Sequence, residues 1–207
     1  MVSSVESPDA ADSAVDHSVN LGARIRALRR KRKMTVNELA QKAGVSVGMV
    51  SQVERGIANP SLRILERLRL TLDIPLSDLL EADPADSSQA EHAAFVRRAK
   101  QRPNFDVGTV GLHKEMLSPH GSHDMQFMII AVPPHARADE VLIGPGEKAG
   151  LVLEGRLILG VGNQQTEIGP GDSFQFDSML PHFVSNPDAT VARVLWIMNT
   201  RMPVAHL

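Results

Sequence analysis

Hydrophobic positions change their period along this chain. From residue 21 to 80 they recur every three or four residues. From about residue 105 they come in short β-rich runs separated by Gly and Pro. Leu21, Ile25 and Leu28 mark a first helical stripe. Thr35 with Glu38 three residues later is a capping box, and Met34 with Leu39 stands at hydrophobic-staple spacing. Gly44 ends the helix that Thr35 starts. Ser46 caps another helix, with Val45 and Val50 as its staple, and Gly56 ends it. Asn59-Pro60-Ser61 reads as a turn and an N-cap, and Leu62, Leu65, Leu68 and Leu72 form a further stripe. Residues 75–80 are read as one more short helix, which makes about five. Two short helices joined by a Gly-containing turn fit a helix-turn-helix, whose second helix enters the DNA major groove.

Residues 125–132, 151–159, 173–176 and 191–198 read as strands. Turns such as Gly144-Pro145-Gly146 and Gly169-Pro170-Gly171-Asp172 lie between these runs, and eight of the fifteen glycines fall between 144 and 171. Such spacing predicts a sandwich or barrel. The expected fold is therefore two-domain: an all-α helix-turn-helix bundle, then an all-β barrel. The boundaries read as a disordered acidic tail over 1–19, the DNA-binding domain over 20–80, a linker over 81–104, the barrel over 105–200 and a short tail over 201–207. The basic end of the linker, Arg97 to Arg102, reads as a solvated stretch, with a first strand or a DNA-adjacent arm as alternatives.

Charge sharpens the first half. Residues 21–80 hold twelve Lys and Arg against five acids, a difference of +7; the whole chain is −2, so the remainder carries −9. A basic module on an acidic chain is what phosphate binding requires. The chain has no cysteine, which removes disulfides and thiolate chemistry and suits the cytoplasm. No secretory signal or membrane-length apolar run is read.

Leu39-Ala40, Gly44, Ser46, Val50, Ser51 and Glu54-Arg55-Gly56 resemble the XRE-type (phage-repressor-like) helix-turn-helix family across residues 21–80. Gly146-Glu147, Val152-Leu153-Glu154-Gly155, Pro170-Gly171-Asp172 and Pro181-His182 with Asn186 resemble a cupin jelly roll across roughly 105–200. This layout implies a transcriptional regulator whose cupin domain senses a small molecule and modulates operator binding. The alternative is a metal-dependent cupin enzyme of the dioxygenase or epoxidase kind.

Val45, Val50 and Val53 face the helical core by spacing, which leaves Ser46, Val47, Gly48, Ser51 and Gln52 toward DNA. Gln52 suits a bidentate pair with adenine, and Val47 a thymine methyl. Arg24, Arg29, Lys33, Lys42 and Arg55 are the candidate phosphate partners. Val36 stands where the family often has a phosphate-contacting Gln. A homodimer reading two half-sites is expected.

The resemblance implies metal ligands in many cupins: a His-x-His, a Glu seven residues before the first-motif Gly, and a later His. Counting back from Gly155 the Glu position is Lys148, the His-x-His region has no His, and only His182 remains. No metal and no cofactor are expected, because an ammonium at a ligand position opposes a cation. An improvised set from His135, Asp139, Glu140, Glu147 and His182 is the alternative. His120 and His123 read as turn residues.

Without a metal, the barrel is expected to bind an organic effector directly, with a carboxylate-bearing one as the sharper reading. Lys148 and His182 are the polar anchors, beside Glu147, and Phe127, Phe174, Phe176 and Trp196 are the apolar walls. A second reading stays open, in which Lys148 snorkels to the rim, His182 is a satisfied core residue, and the aromatics are simply core.

Overall fold

The structure is a computed structural model that describes residues 20–74, 79, 95–119, 123–139 and 144–199. The tails at 1–19 and 201–207, most of the 75–80 helix and the acidic half of the linker lie outside the described residues. So do His120 and Glu140.

Four helices come first: α1 (Leu21–Lys31), α2 (Val36–Ala43), α3 (Val47–Glu54) and α4 (Leu62–Thr71). Each starts where a side chain accepts an orphan N–H. Asn20, Thr35, Ser46 and Ser61 cap α1 to α4 in turn, and Glu38 completes the Thr35 capping box by accepting from the Thr35 N–H at 2.7 Å. Helices α2 and α3 both end in Schellman geometry. Val45 N–H reaches the Ala40 carbonyl and Gly44 N–H the Gln41 carbonyl; Ile57 N–H reaches Gln52 and Gly56 N–H reaches Val53. Gly44 and Gly56 have φ of 64° and 68°, which glycine adopts without a Cβ penalty. Ile25, Leu39, Val50, Val53, Leu65, Leu68 and Leu72 are fully buried between the helices.

A 3₁₀ turn at Ala99–Gln101 leads into ten strands. These are β1 (Asn104–Val107), β2 (Leu112–Met116), β3 (Met125–Val132), β4 (Arg137–Ala138), β5 (Glu147–Glu154), β6 (Leu157–Val161), β7 (Gln164–Ile168), β8 (Ser173–Asp177), β9 (His182–Ser185) and β10 (Ala192–Asn199). They form two antiparallel sheets, ordered β1-β2-β3-β10-β5-β8 and β4-β9-β6-β7. The strand read over 151–159 is two strands. Gly155 breaks it at φ 71°, where a Cβ would stand 2.9 Å from the Ala192 Cα. Strand β7 escaped the hydrophobic pattern because four of its five residues are exposed. The basic linker end packs on the barrel: Arg97 donates to the Ser118 carbonyl and Arg102 pairs with Glu115 at 3.0 Å.

Pleat parity sorts every strand into an inner and an outer face. Inward come Lys114 between Leu112 and Met116, Met128 and Ile130 on β3, Lys148, Gly150 and Val152 on β5, Val194 and Trp196 on β10, and His182 and Val184 on β9. Asn186 fastens the closing loop. Its amide donates to the Val132 and Thr190 carbonyls at 3.0 and 2.7 Å, and its oxygen accepts from the Asp188 N–H.

Candidate nucleic-acid interface and ligand pocket

Helix α3 presents its first turn to solvent. Ser46, Val47 and Gly48 are exposed, and so is Gln52 one turn on. Val47 is 46% exposed, uncovered for a β-branched residue at a helix start. Gly48 has open space around its missing Cβ, so no packing within the chain requires glycine there. Ser46 spends its hydroxyl oxygen on the Met49 N–H at 3.1 Å. Ser51 is half-buried, and its carbonyl accepts from the Arg55 guanidinium. One hydrogen bond and one close approach fix how far α3 projects. Arg67 on α4 donates to the Gly44 carbonyl at 2.8 Å, holding the turn between α2 and α3. Gly22 on α1 lies so close to α3 that a Cβ would meet the Val53 carbonyl at 2.1 Å.

Arg29 does not serve as a phosphate partner. It is buried, and its guanidinium forks onto both Glu54 oxygens at 2.6 and 2.8 Å while a third N–H reaches the Met34 carbonyl at 2.7 Å. The Glu54 hydrogen bonds hold it charged and raise its pKa further. It bolts α1 to the end of α3. Lys33, Lys42 and Arg55 are exposed, and Arg24 is half-exposed.

Inside the barrel the Lys148 ammonium donates to His182 Nε2 at 2.8 Å. His182 Nδ1–H donates in turn to the Leu180 carbonyl at 2.6 Å, which assigns the neutral tautomer. Burial lowers the His182 pKa, against the Leu180 bond, and the Lys148 charge lowers it further. Burial also brings Lys148 down to about 8. The imidazole lies 4.9 Å from the Phe176 ring and 6.4 Å from Trp196, and Phe174 stands 5.1 Å from Trp196. Gly150 makes room for this wall, since a Cβ there would collide with the Phe174 ring at 2.3 Å. The result is an aromatic cluster with a basic polar end inside the barrel.

Two expected pocket residues lie elsewhere. Phe127 pairs with Ile197 on the outer face, because its neighbour Met128 takes the inward position beside Trp196. Glu147 is also outward and exposed, and accepts from the Gln175 amide at 2.8 Å. The described members of the improvised metal set do not assemble. Asp139 is held by Arg137, Glu147 points away, and His182 is bound to Lys148. Among the described residues no three His, Asp or Glu side chains converge. The residues present do not fit the metal that the fold commonly holds.

Lys114 is the interior residue that sequence reasoning missed. The alternation Leu112-His113-Lys114-Glu115-Met116 carries the signal, for it puts the lysine on the apolar face.

Residues 25–79 match the Helix-turn-helix family model and residues 128–198 the Cupin domain model. This chain carries a helix-turn-helix domain followed by a cupin domain. The layout extends to full-length relatives. The chain is 22% identical over 182 residues to the HTH-type transcriptional regulator PuuR of Escherichia coli, covering 87% of this chain and 95% of that protein. It is 37% identical over 62 residues to the HTH-type transcriptional regulator SinR of Bacillus subtilis, covering 30% of this chain and 56% of that one. The crystal structure of a helix-turn-helix family transcriptional regulator from Vibrio cholerae shares the fold. Its TM-score is 0.57 at 21% identity, over 88% of this chain and 96% of that one. Among the described residues no helix is long and apolar enough to cross a membrane. Lys148 stands where the resemblance implied a metal-binding carboxylate, and Val36, where it implied a phosphate-contacting Gln, is half-buried.

Proposed function

We propose that this chain is a sequence-specific, cytoplasmic DNA-binding transcriptional regulator whose cupin domain binds a small organic carboxylate and modulates operator binding. The observation that carries the sensor half is the buried Lys148–His182 pair at the end of an aromatic cluster. An ammonium in the position of a metal-binding carboxylate favours an anionic organic ligand over a catalytic cation, so we read the domain as a sensor rather than an enzyme. Exposed Val47, Gly48 and Gln52 on a rigidly seated helix, with Lys33, Lys42 and Arg55 around it, support DNA reading. The domain limits proposed are 20–80 for DNA binding and 105–200 for sensing. An outward apolar set on adjacent strands (Phe127, Ile129, Leu151, Leu195 and Ile197) supports a homodimer through the cupin. Such a dimer would place two reading helices on two half-sites.

The test is a carboxylic-acid melting-shift screen followed by operator selection. A true effector stabilises the protein by mass action. Lys148→Met should weaken effector binding by about tenfold or more, the scale of a hydrogen bond to a charged group. Unchanged affinity would overturn the carboxylate reading. DNA affinity should fall steeply with salt as counterions are displaced; a flat response would remove the regulator reading.

A further inference from the structure

The cupin interior holds a second buried ammonium. Lys114 on β2 is 4% exposed, and its strand neighbours in register are Phe105 and Ile130, both apolar. Among the described residues no oxygen accepts a hydrogen bond from its Nζ, and Glu54, far off in the helical region, is the only buried acid. Among the described residues the titratable side chains that share the barrel interior with it are Lys148 on β5 and His182 on β9, neither of which offers negative charge. Burial brings Lys114 down to about 7, and the Lys148 charge adds to the effect, so the two ammoniums sense each other across one interior. A lysine in such a place gains nothing for the fold that Met or Leu would not supply without the desolvation cost. Its charge is useful only to something that enters.

The sheet register says what shape that is. Lys148 lies in one inward row with Met198 and Gln126. Lys114 lies in another with Ile130, Val194 and Val152. The row between them is Met116, Met128, Trp196 and Gly150, which is entirely apolar. Each row is about 6.6 Å of strand from the next. The two lysines therefore stand at different levels of the barrel interior, with an apolar belt between.

We propose that the effector carries two anionic groups joined by an apolar spacer, one seated at Lys148–His182 and the other on Lys114, which selects dianions over monoanions. The chemical class is a short aliphatic dicarboxylate. This rests on the carboxylate-sensor reading above and deepens it.

The experiment uses the full-length protein, calorimetry and the emission of Trp196, the chain's only tryptophan. Succinate, glutarate and adipate are titrated against butyrate, valerate and hexanoate, each pair matched in carbon number. At least one dicarboxylate is expected to bind about tenfold or more tighter than its partner, the scale of a charge-assisted hydrogen bond. Lys114→Met should erase that ratio while leaving the monocarboxylate affinity within about twofold. Lys114→Gln serves as a second variant should the first misfold, which the Trp196 emission would report. Binding at pH 8 should take up protons, seen as heat that varies with the buffer, and Lys114→Met should reduce the uptake. If diacids and monoacids bind alike and both need Lys148, the deep anchor is wrong and the carboxylate sensor stands. If none of the six binds, both readings fail.

Discussion

The helical region and the barrel each bury basic side chains, and they treat them in opposite ways. Arg29 is met by Glu54 with two short hydrogen bonds and by a backbone carbonyl with a third. Its charge is answered within the chain. Lys114 is buried more deeply and pairs with no acid among the described residues, and Lys148 donates to a neutral imidazole. Burying an ion costs several kcal/mol unless a partner offsets it. The contrast separates structure from function. A compensated charge fixes the pose of a helix, whereas an uncompensated one is, on the function proposed above, kept for a ligand.

The largest effect should come from breaking the compensated pair. Glu54→Gln leaves Arg29 buried without its counter-charge, and should destabilise the helical region by about 3 to 5 kcal/mol. Denaturant unfolding followed by helical circular dichroism would measure it. Replacing both partners, Arg29→Met with Glu54→Leu, should be near neutral, because the lost Coulomb energy and the lost desolvation cost cancel. If the single change is as mild as the double, the two side chains do not act as a unit.

Lys114→Met should do the reverse and stabilise the ligand-free barrel. The sign follows from linkage. Lys114 has a pKa of about 7 folded against an ordinary 10.5 unfolded, so between those values the unfolded state holds more protons. Wild-type stability therefore rises as pH climbs from 7 to 10.5, and the whole penalty is present below 7. At neutral pH the variant should gain on the order of 2 to 4 kcal/mol, reading each pKa unit as 1.36 kcal/mol and discounting for relaxation. Urea unfolding read by Trp196 emission at pH 7 and pH 10 checks both points. A destabilised variant, or one whose advantage is the same at both pH values, would mean that Lys114 is partnered after all.

The contrast also explains which parts of the molecule could be read without coordinates. Helix caps were legible because they are local: Thr35 and Glu38 are three residues apart, and the signal and the bond are the same pair. Arg29 was misread because its partner is 25 residues away, and an unpaired arginine in a basic stretch looks like a phosphate ligand. Phe127 was misread because parity decides it. In an apolar run such as Met125–Val132 every residue can face inward until β10 pairs and sets the register. Lys148 and His182 were found because motif spacing marks them, yet their mutual bond spans 34 residues and needed the closed barrel. Lys114 lies in no motif; the alternation from Leu112 to Met116 puts it on the apolar face, and the pairing of β2 with β1 and β3 closes that face over it.

Lys148→Met probes the intermediate case and should have the smallest effect on stability. Its burial penalty is smaller than that of Lys114, at a pKa of about 8, and the change removes a hydrogen bond that His182 accepts. The two consequences oppose each other, leaving a net change of about 1 kcal/mol or less. The informative signal is on the imidazole. Without the neighbouring ammonium charge, His182 should titrate at higher pH than in the wild type, because the Lys148 repulsion that lowers it is gone while the Leu180 carbonyl still favours its protonated form. Titration of the ring protons by NMR would show the rise. If His182 titrates unchanged in Lys148→Met while Lys114→Met moves it, the charge that governs the imidazole is Lys114, and the roles of the two anchors would have to be exchanged.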